Sequence, residues 1–174
     1  MEHPIRKIVM AALFAALCCA ATMVIQIPSP MQGYVNLGDC VVLLSGWMLG
    51  PWYGLAAAGI GSAMADVLLS YAHYAPGTLV IKGLMALVCG LLAARRTEGG
   101  FVRRVISGAA AEVLMVAGYF GYACLLLGKG LAAAASIPGN LFQGAVGVTA
   151  AVVLYGMLEK SGSLRYFRKV GLHS

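Results

Sequence analysis

Six apolar segments run along the chain, at about 5–26, 37–49, 52–70, 76–94, 104–127 and 138–158. Four of them carry a full charge within the apolar run: Asp39, Asp66, Lys82 and Glu112. A charge at the centre of a bilayer costs at least ~2.5–3.5 kcal/mol, so such a side chain faces the interior of a helix bundle and pairs there. Each spanning helix needs roughly 20 apolar residues, which lets a chain of 174 residues hold about six with short connections. Only 10% of the residues are charged, against about 25% in a soluble domain. The expected fold class is therefore an all-α integral membrane protein, a single six-helix domain spanning residues 1–174 with no soluble domain attached.

The second segment is short for a span, about 20 Å at 1.5 Å per residue, and is expected to start below the surface or lean on its neighbours. Gly50-Pro51 separates it from the third as a tight turn, because proline cannot continue the preceding helix. The connection "IPSPMQGYVN" holds two prolines and a glycine and reads as a loop. Arg6 and Lys7 before the first apolar run resemble a signal peptide, but the run is too long for one and no small-x-small cleavage site ends it, so a retained helix is expected. Cys18, Cys19, Cys40, Cys89 and Cys124 lie in apolar segments without a C-x-x-C spacing, and the three histidines are scattered. Neither metal nor cofactor is expected.

With the N-terminus inside, Arg6, Lys7, Arg95, Arg96, Arg103, Arg104, Lys160, Arg165, Arg168 and Lys169 all fall on the cytoplasmic side, and only Lys129 falls opposite. This positive-inside bias predicts that both termini are cytoplasmic. The formal charge of +6 is thus an orientation signal that flanks spans, not a nucleic-acid surface.

That orientation gives each polar residue a depth. Asp39 follows the first outer loop, Asp66 precedes the second and Lys82 follows it. Glu112 lies near mid-membrane, with Tyr119 and Tyr122 beyond it toward the outside, and Asn140 and Gln143 open the sixth helix. The outer half of the bundle therefore collects the polar groups, which describes a pocket open outward and closed below. Glu112 and Tyr119 are seven apart and share a helix face, as do Asn140 and Gln143 at a spacing of three. A carboxylate, phenols and carboxamides can hydrogen-bond a nitrogen-containing small molecule whose faces aromatic rings cover. The candidate substrate-binding set is Glu112, Tyr119, Tyr122, Asn140 and Gln143, joined by Asn36 and Tyr74 from the outer loops. Simple helix-to-helix hydrogen bonding is the competing role. Asp39, Asp66 and Lys82 read as a structural ion network among the second, third and fourth helices. The small-residue rows Ala11/Ala15 and Ala12/Ala16/Ala20 let another backbone approach helix one closely, either from within the protein or from a partner.

No G-x-x-x-x-G-K-[ST] occurs and no nucleophile finds a base, so neither P-loop ATP hydrolysis nor another enzymatic activity is expected. Inverted-repeat symmetry between the halves is not evident. The stretch from "YVNLGDCVVLLSGWMLGPWYG" through "GIGSAMADVLLSYAHYAPGTLVIKG" resembles the S components of energy-coupling factor (ECF) vitamin transporters. In that group N-L-G-D, G-P-x-x-G, G-x-x-G-S-A-x-A-D and Y-A-P-G-T-x-x-I-K-G recur in this order, and "AEVLMVAGYFGY" and "SIPGNLFQGAVG" extend the likeness over nearly the whole chain. The resemblance implies a six-helix S-component fold in the prokaryotic plasma membrane, surrounded by lipid. It also implies partners, a transmembrane T subunit and two cytoplasmic ATPases, with delivery by toppling. It makes Ala11, Ala12, Ala15 and Ala16 contacts for the T subunit and residues 27–36 a lid. The substrate implied is a vitamin-type heteroaromatic, with a B6 vitamer or hydroxymethylpyrimidine preferred over riboflavin, folate or a queuosine precursor. The alternative is a stand-alone, ion-coupled secondary transporter of a small polar molecule.

Overall fold

The computed structural model describes residues 3–29, 33–93 and 100–164; Arg95, Arg96, Arg165, Arg168 and Lys169 lie outside them. Among the described residues six α-helices follow in order: α1 (His3–Val24), α2 (Gly38–Leu49), α3 (Pro51–Leu68), α4 (Ala75–Ala93), α5 (Gly100–Gly121) and α6 (Ile137–Lys160). Among the described residues, four helical stretches are long and apolar enough to cross a membrane: Ile5–Val24, Ala75–Ala93, Gly100–Leu126 and Gly130–Lys160. Their outward faces carry bare apolar side chains such as Leu13, Val80, Val113 and Leu131. Such faces suit hydrocarbon, where a helix satisfies all of its own backbone.

The twelve-residue α2 is the centre of the bundle, with all but Val41 buried. An apolar helix without a polar face is stable only when neighbours surround it. Glycine makes the packing possible at its crossings. A Cβ on Gly46 would lie 2.4 Å from the Ala86 carbonyl of α4, and one on Gly54 of α3 would lie 2.8 Å from Gly46 Cα. Helix α1 closes on α3 in the same way, since a Cβ on Gly61 would stand 2.2 Å from the Ala15 carbonyl. The two alanine rows of α1 therefore separate. Ala11 and Ala15 pack against the core, whereas Ala12 and Ala16 are exposed.

The segment after α1 departs from the expected loop. Gln26–Ser29 (β1) and Gly33–Asn36 (β2) pair as an antiparallel hairpin, with Ile27 opposite Val35 and Pro28 opposite Tyr34. Two strands leave each other's outer edge free, so proline costs the ladder nothing there. The chain after α5 also changes character: Tyr122–Leu126 forms a π-helical turn, Gly128 and Gly130 take positive φ, and Gly130–Ser136 winds as a 3₁₀ helix into α6. The hairpin, the α3–α4 turn and this π/3₁₀ connection meet at one end of the bundle. At the other end Trp47 donates to Ser107 Oγ at 3.1 Å, and Arg104 pairs with Glu159 at 3.2 Å while stacking over Tyr155.

Candidate functional site

Under the hairpin lies a cavity of about 600 Å³, counting its open mouth. Its wall takes Thr22 from α1, Tyr34 and Asn36 from the hairpin, and Ser62 and Asp66 from α3. Tyr74, Thr78 and Lys82 come from α4 and the turn before it, Tyr119 from α5, Ala123 from the π turn, Ser136 from the 3₁₀ helix, and Asn140 and Gln143 from α6. The side chains are mostly hydrogen-bonding groups held on rigid elements, with tyrosine rings among them.

A buried relay forms the floor. Lys82 is ion-paired with Asp39 in the first turn of α2, and both are buried. The other Asp39 oxygen accepts from Gln143 Nε2 at 2.6 Å, and Gln143 Oε1 accepts the Asn36 backbone N–H at 2.8 Å. Asn36 Oδ1 in turn accepts the Gly38 N–H at 2.8 Å, satisfying a donor that the start of α2 would leave unpaired. One chain of polar contacts thus joins α4, α2, α6 and the hairpin. Asp66 stands apart from it. Its Oδ1 accepts the Tyr34 hydroxyl at 2.5 Å, fastening the hairpin to α3. Burial, and next the Asp66 carboxylate, push the Tyr34 phenol up, so it remains a donor. The expected three-member ion network is therefore a Lys82–Asp39 pair, with Asp66 bound to a phenol instead. The cause is local: the hairpin brings Tyr34 onto the same helix end as Asp66.

Around the mouth the aromatic residues form a continuous rim. Tyr34 and Tyr71 have ring centroids 4.8 Å apart, His73 and Tyr74 also 4.8 Å, and Tyr74 and Tyr119 6.5 Å. Thr78 Oγ1 and the Tyr119 hydroxyl share a 3.0 Å hydrogen bond, and Lys129 Nζ donates to the Tyr74 hydroxyl at 2.9 Å.

Of the candidate binding residues, Asn36, Tyr74, Tyr119, Asn140 and Gln143 line the cavity. Tyr122 and Glu112 are not part of its wall. The Tyr122 hydroxyl donates to the His73 carbonyl at 2.8 Å, and its ring covers Gly77 from the side. Glu112 shares a helix face with Tyr119 but lies two turns, ~10 Å, farther along α5, below the floor. There Gly144 and Gly147 make room for it beside Asp39: a Cβ on Gly147 would lie 2.8 Å from Asp39 Cβ and 3.3 Å from Glu112 Oε1. Sequence reasoning passed over Thr22, Tyr34, Ser62, Thr78 and Ser136 as wall residues. The Ser62/Asp66 spacing of four was a legible signal for two groups on one face.

Comparison with known proteins bears on this arrangement. Residues 3–160 match the family model described as ECF-type riboflavin transporter, S component. A Pyrococcus woesei protein described as "Uncharacterized protein in gap 3'region" is 40% identical over 114 residues, covering 65% of this chain and 75% of that one. The thiamine precursor transporter HmpT of Lactococcus lactis subsp. cremoris (strain MG1363) is 26% identical over 167 residues, covering 95% of each. Among solved structures, the chain shares its fold with the one reported under "Structure and mechanism of the S component of a bacterial ECF transporter". The TM-score is 0.63 at 20% identity, over 89% of this chain and 96% of that one.

Proposed function

This chain belongs to the ECF-type riboflavin transporter S component family, a family of membrane-embedded, substrate-binding transporter subunits and not of enzymes, and we propose that it captures a small nitrogen heteroaromatic of the hydroxymethylpyrimidine or B6 class. The cavity carries the reading: a polar wall built from five helices and a hairpin, floored by an internally neutralised ion pair and rimmed by tyrosines. A flat ring stacks among the phenols while Asn140, Gln143, Thr78 and Asp66 meet its ring nitrogens and substituents. A relative with 95% mutual coverage that is named a thiamine precursor transporter supports the small-pyrimidine choice over the larger riboflavin.

The protein faces outward with its hairpin, in the plasma membrane of a prokaryote, with both termini cytoplasmic. The hairpin acts as the lid. ATP is hydrolysed by two cytoplasmic ATPases that a transmembrane T subunit couples to this chain, and release follows toppling. The exposed Ala12/Ala16 row supports docking of the T subunit on α1. Ala11 and Ala15 serve that surface from behind, by setting the α1–α3 distance.

The test is calorimetric titration of the purified protein with hydroxymethylpyrimidine, pyridoxine, riboflavin, folate and a queuosine precursor. The expected outcome is tight binding of a single small ring compound. A protein that binds none of them refutes the capture function, and selective binding of riboflavin or folate refutes the size class.

A further inference from the structure

On one face of α3 the cavity wall leaves two buried polar atoms without a hydrogen-bond partner. Asp66 and Ser62, one helical turn apart, both line the cavity and are 3% and 1% exposed. Tyr34 occupies Asp66 Oδ1, leaving Oδ2 buried with no hydrogen-bond partner, and Ser62 Oγ is likewise buried and without a partner. Among the described residues Lys82 pairs with Asp39, and none forms an ion pair with Asp66. Buried polar atoms are almost always paired, so orphans on a cavity wall mark where a ligand supplies the missing groups.

We infer that Asp66 Oδ2 and Ser62 Oγ form the subsite that reads an amino-imine edge, an exocyclic N–H beside a ring nitrogen, on the heteroaromatic ligand. The chemistry follows from the two atoms. With Tyr34 donating to Oδ1, the carboxylate offers Oδ2 as an acceptor, and it takes the exocyclic N–H. The serine hydroxyl donates to the adjacent ring nitrogen. An oxo group in place of the amine would set a carbonyl oxygen against Oδ2, acceptor against acceptor. A site built to hydrogen-bond one substituent rejects an analogue lacking it strongly, because its own buried groups are left unpaired. Tyr34 takes part as a positioning residue: by holding Oδ1 it determines which carboxylate oxygen faces the ligand and couples the lid to occupancy of that subsite.

This assignment rests on the small-heteroaromatic reading above, and the experiment separates the two. Hydroxymethylpyrimidine, which carries the aminopyrimidine edge, and its deaminated oxo counterpart are titrated against the native protein, Asp66→Asn and Ser62→Ala, with the ligand-free unfolding midpoint of each as a check on folding. The native protein is expected to prefer the amino compound by about 30-fold or more, the scale of a charged hydrogen bond lost in a buried site. Asp66→Asn presents an N–H where Oδ2 was, so the preference reverses toward the oxo compound. Ser62→Ala weakens the amino compound about 5- to 10-fold. Equal affinity of the native protein for both compounds overturns the assignment, as does an unchanged preference in a folded Asp66→Asn. If Asp66→Asn does not fold, the native preference and the Ser62→Ala loss still decide it. Binding of riboflavin or pyridoxine alone, unaffected by Ser62→Ala, removes this subsite while leaving substrate capture intact. Failure of every ring compound to bind removes both.

Discussion

Replacing Lys82 by methionine keeps most of the side chain's volume and deletes its charge, leaving the Asp39 carboxyl buried without its counter-ion. Breaking a buried pair from one side costs ~3–5 kcal/mol, because the remaining charge has neither water nor a cation. Gln143 Nε2 still donates to Asp39, at 2.6 Å, but a neutral amide does not offset a full charge. In a chain of this length each kcal/mol shifts the unfolding midpoint by about 2–4 °C, so Lys82→Met should lower it by roughly 6–20 °C. Thermal unfolding in detergent micelles, followed by circular dichroism, is the measurement. The decisive variant is the double substitution Lys82→Met with Asp39→Asn, which removes the orphaned charge and keeps a side chain that can bond Gln143. It should recover more than half of the loss, a coupling of about 2 kcal/mol or more between two directly interacting residues. A midpoint for Lys82→Met within about 2 °C of the native protein refutes the reasoning, as does a double variant no more stable than the single.

Glu112→Gln removes one of two neighbouring carboxylates served by a single lysine, so stability should hold or rise by about 1 kcal/mol, with ligand affinity changed less than about threefold. Lost binding in a normally stable Glu112→Gln protein would put this residue in the ligand site after all. Gly46→Ala forces a methyl against the Ala86 carbonyl and Cys89 Sγ, both 2.4 Å from the added carbon, and should cost about 1–3 kcal/mol by overpacking; an unchanged melting curve would deny the close α2–α4 crossing. Ala16→Leu should leave the melting curve alone and abolish co-purification with the T subunit, whereas Ala15→Leu, packed against the core where α1 meets Gly61, should destabilise the protein itself; the opposite pattern would reverse the assignment of the two rows. Tyr34→Phe removes the 2.5 Å bond to Asp66 and should speed ligand dissociation about tenfold, read by stopped-flow or surface plasmon resonance; an unchanged off-rate means that the hairpin is not a lid fastened there.

The hairpin shows where reading the chain fell short. Two prolines and a glycine argue for a turn, and nothing local announces that Gln26–Ser29 and Gly33–Asn36 will pair. Pairing of this kind depends on the ends of α1 and α2 holding the strands together, a long-range condition invisible in a short window. The fate of Asp66 followed from it, since its partner Tyr34 arrives on that hairpin. Glu112 illustrates a second limit: helical spacing tells which face a residue shares, but the depth at which a cavity ends depends on what the neighbouring helices place there.

Hydropathy alone determined that this chain forms apolar helices, because hydrocarbon admits no unsatisfied backbone and each segment must bond to itself. Four charges in those segments likewise determined a polar interior, since none of them is tolerated facing lipid. Which charges meet was decided only by tertiary structure. Lys82 joins Asp39 in preference to Asp66 because α2, short and buried on nearly every side, carries Asp39 into the bundle's centre, while the hairpin delivers a phenol to Asp66. The orphaned Asp66 Oδ2 and Ser62 Oγ exist only in that arrangement. They are produced by six packed elements acting together, a condition no single segment encodes.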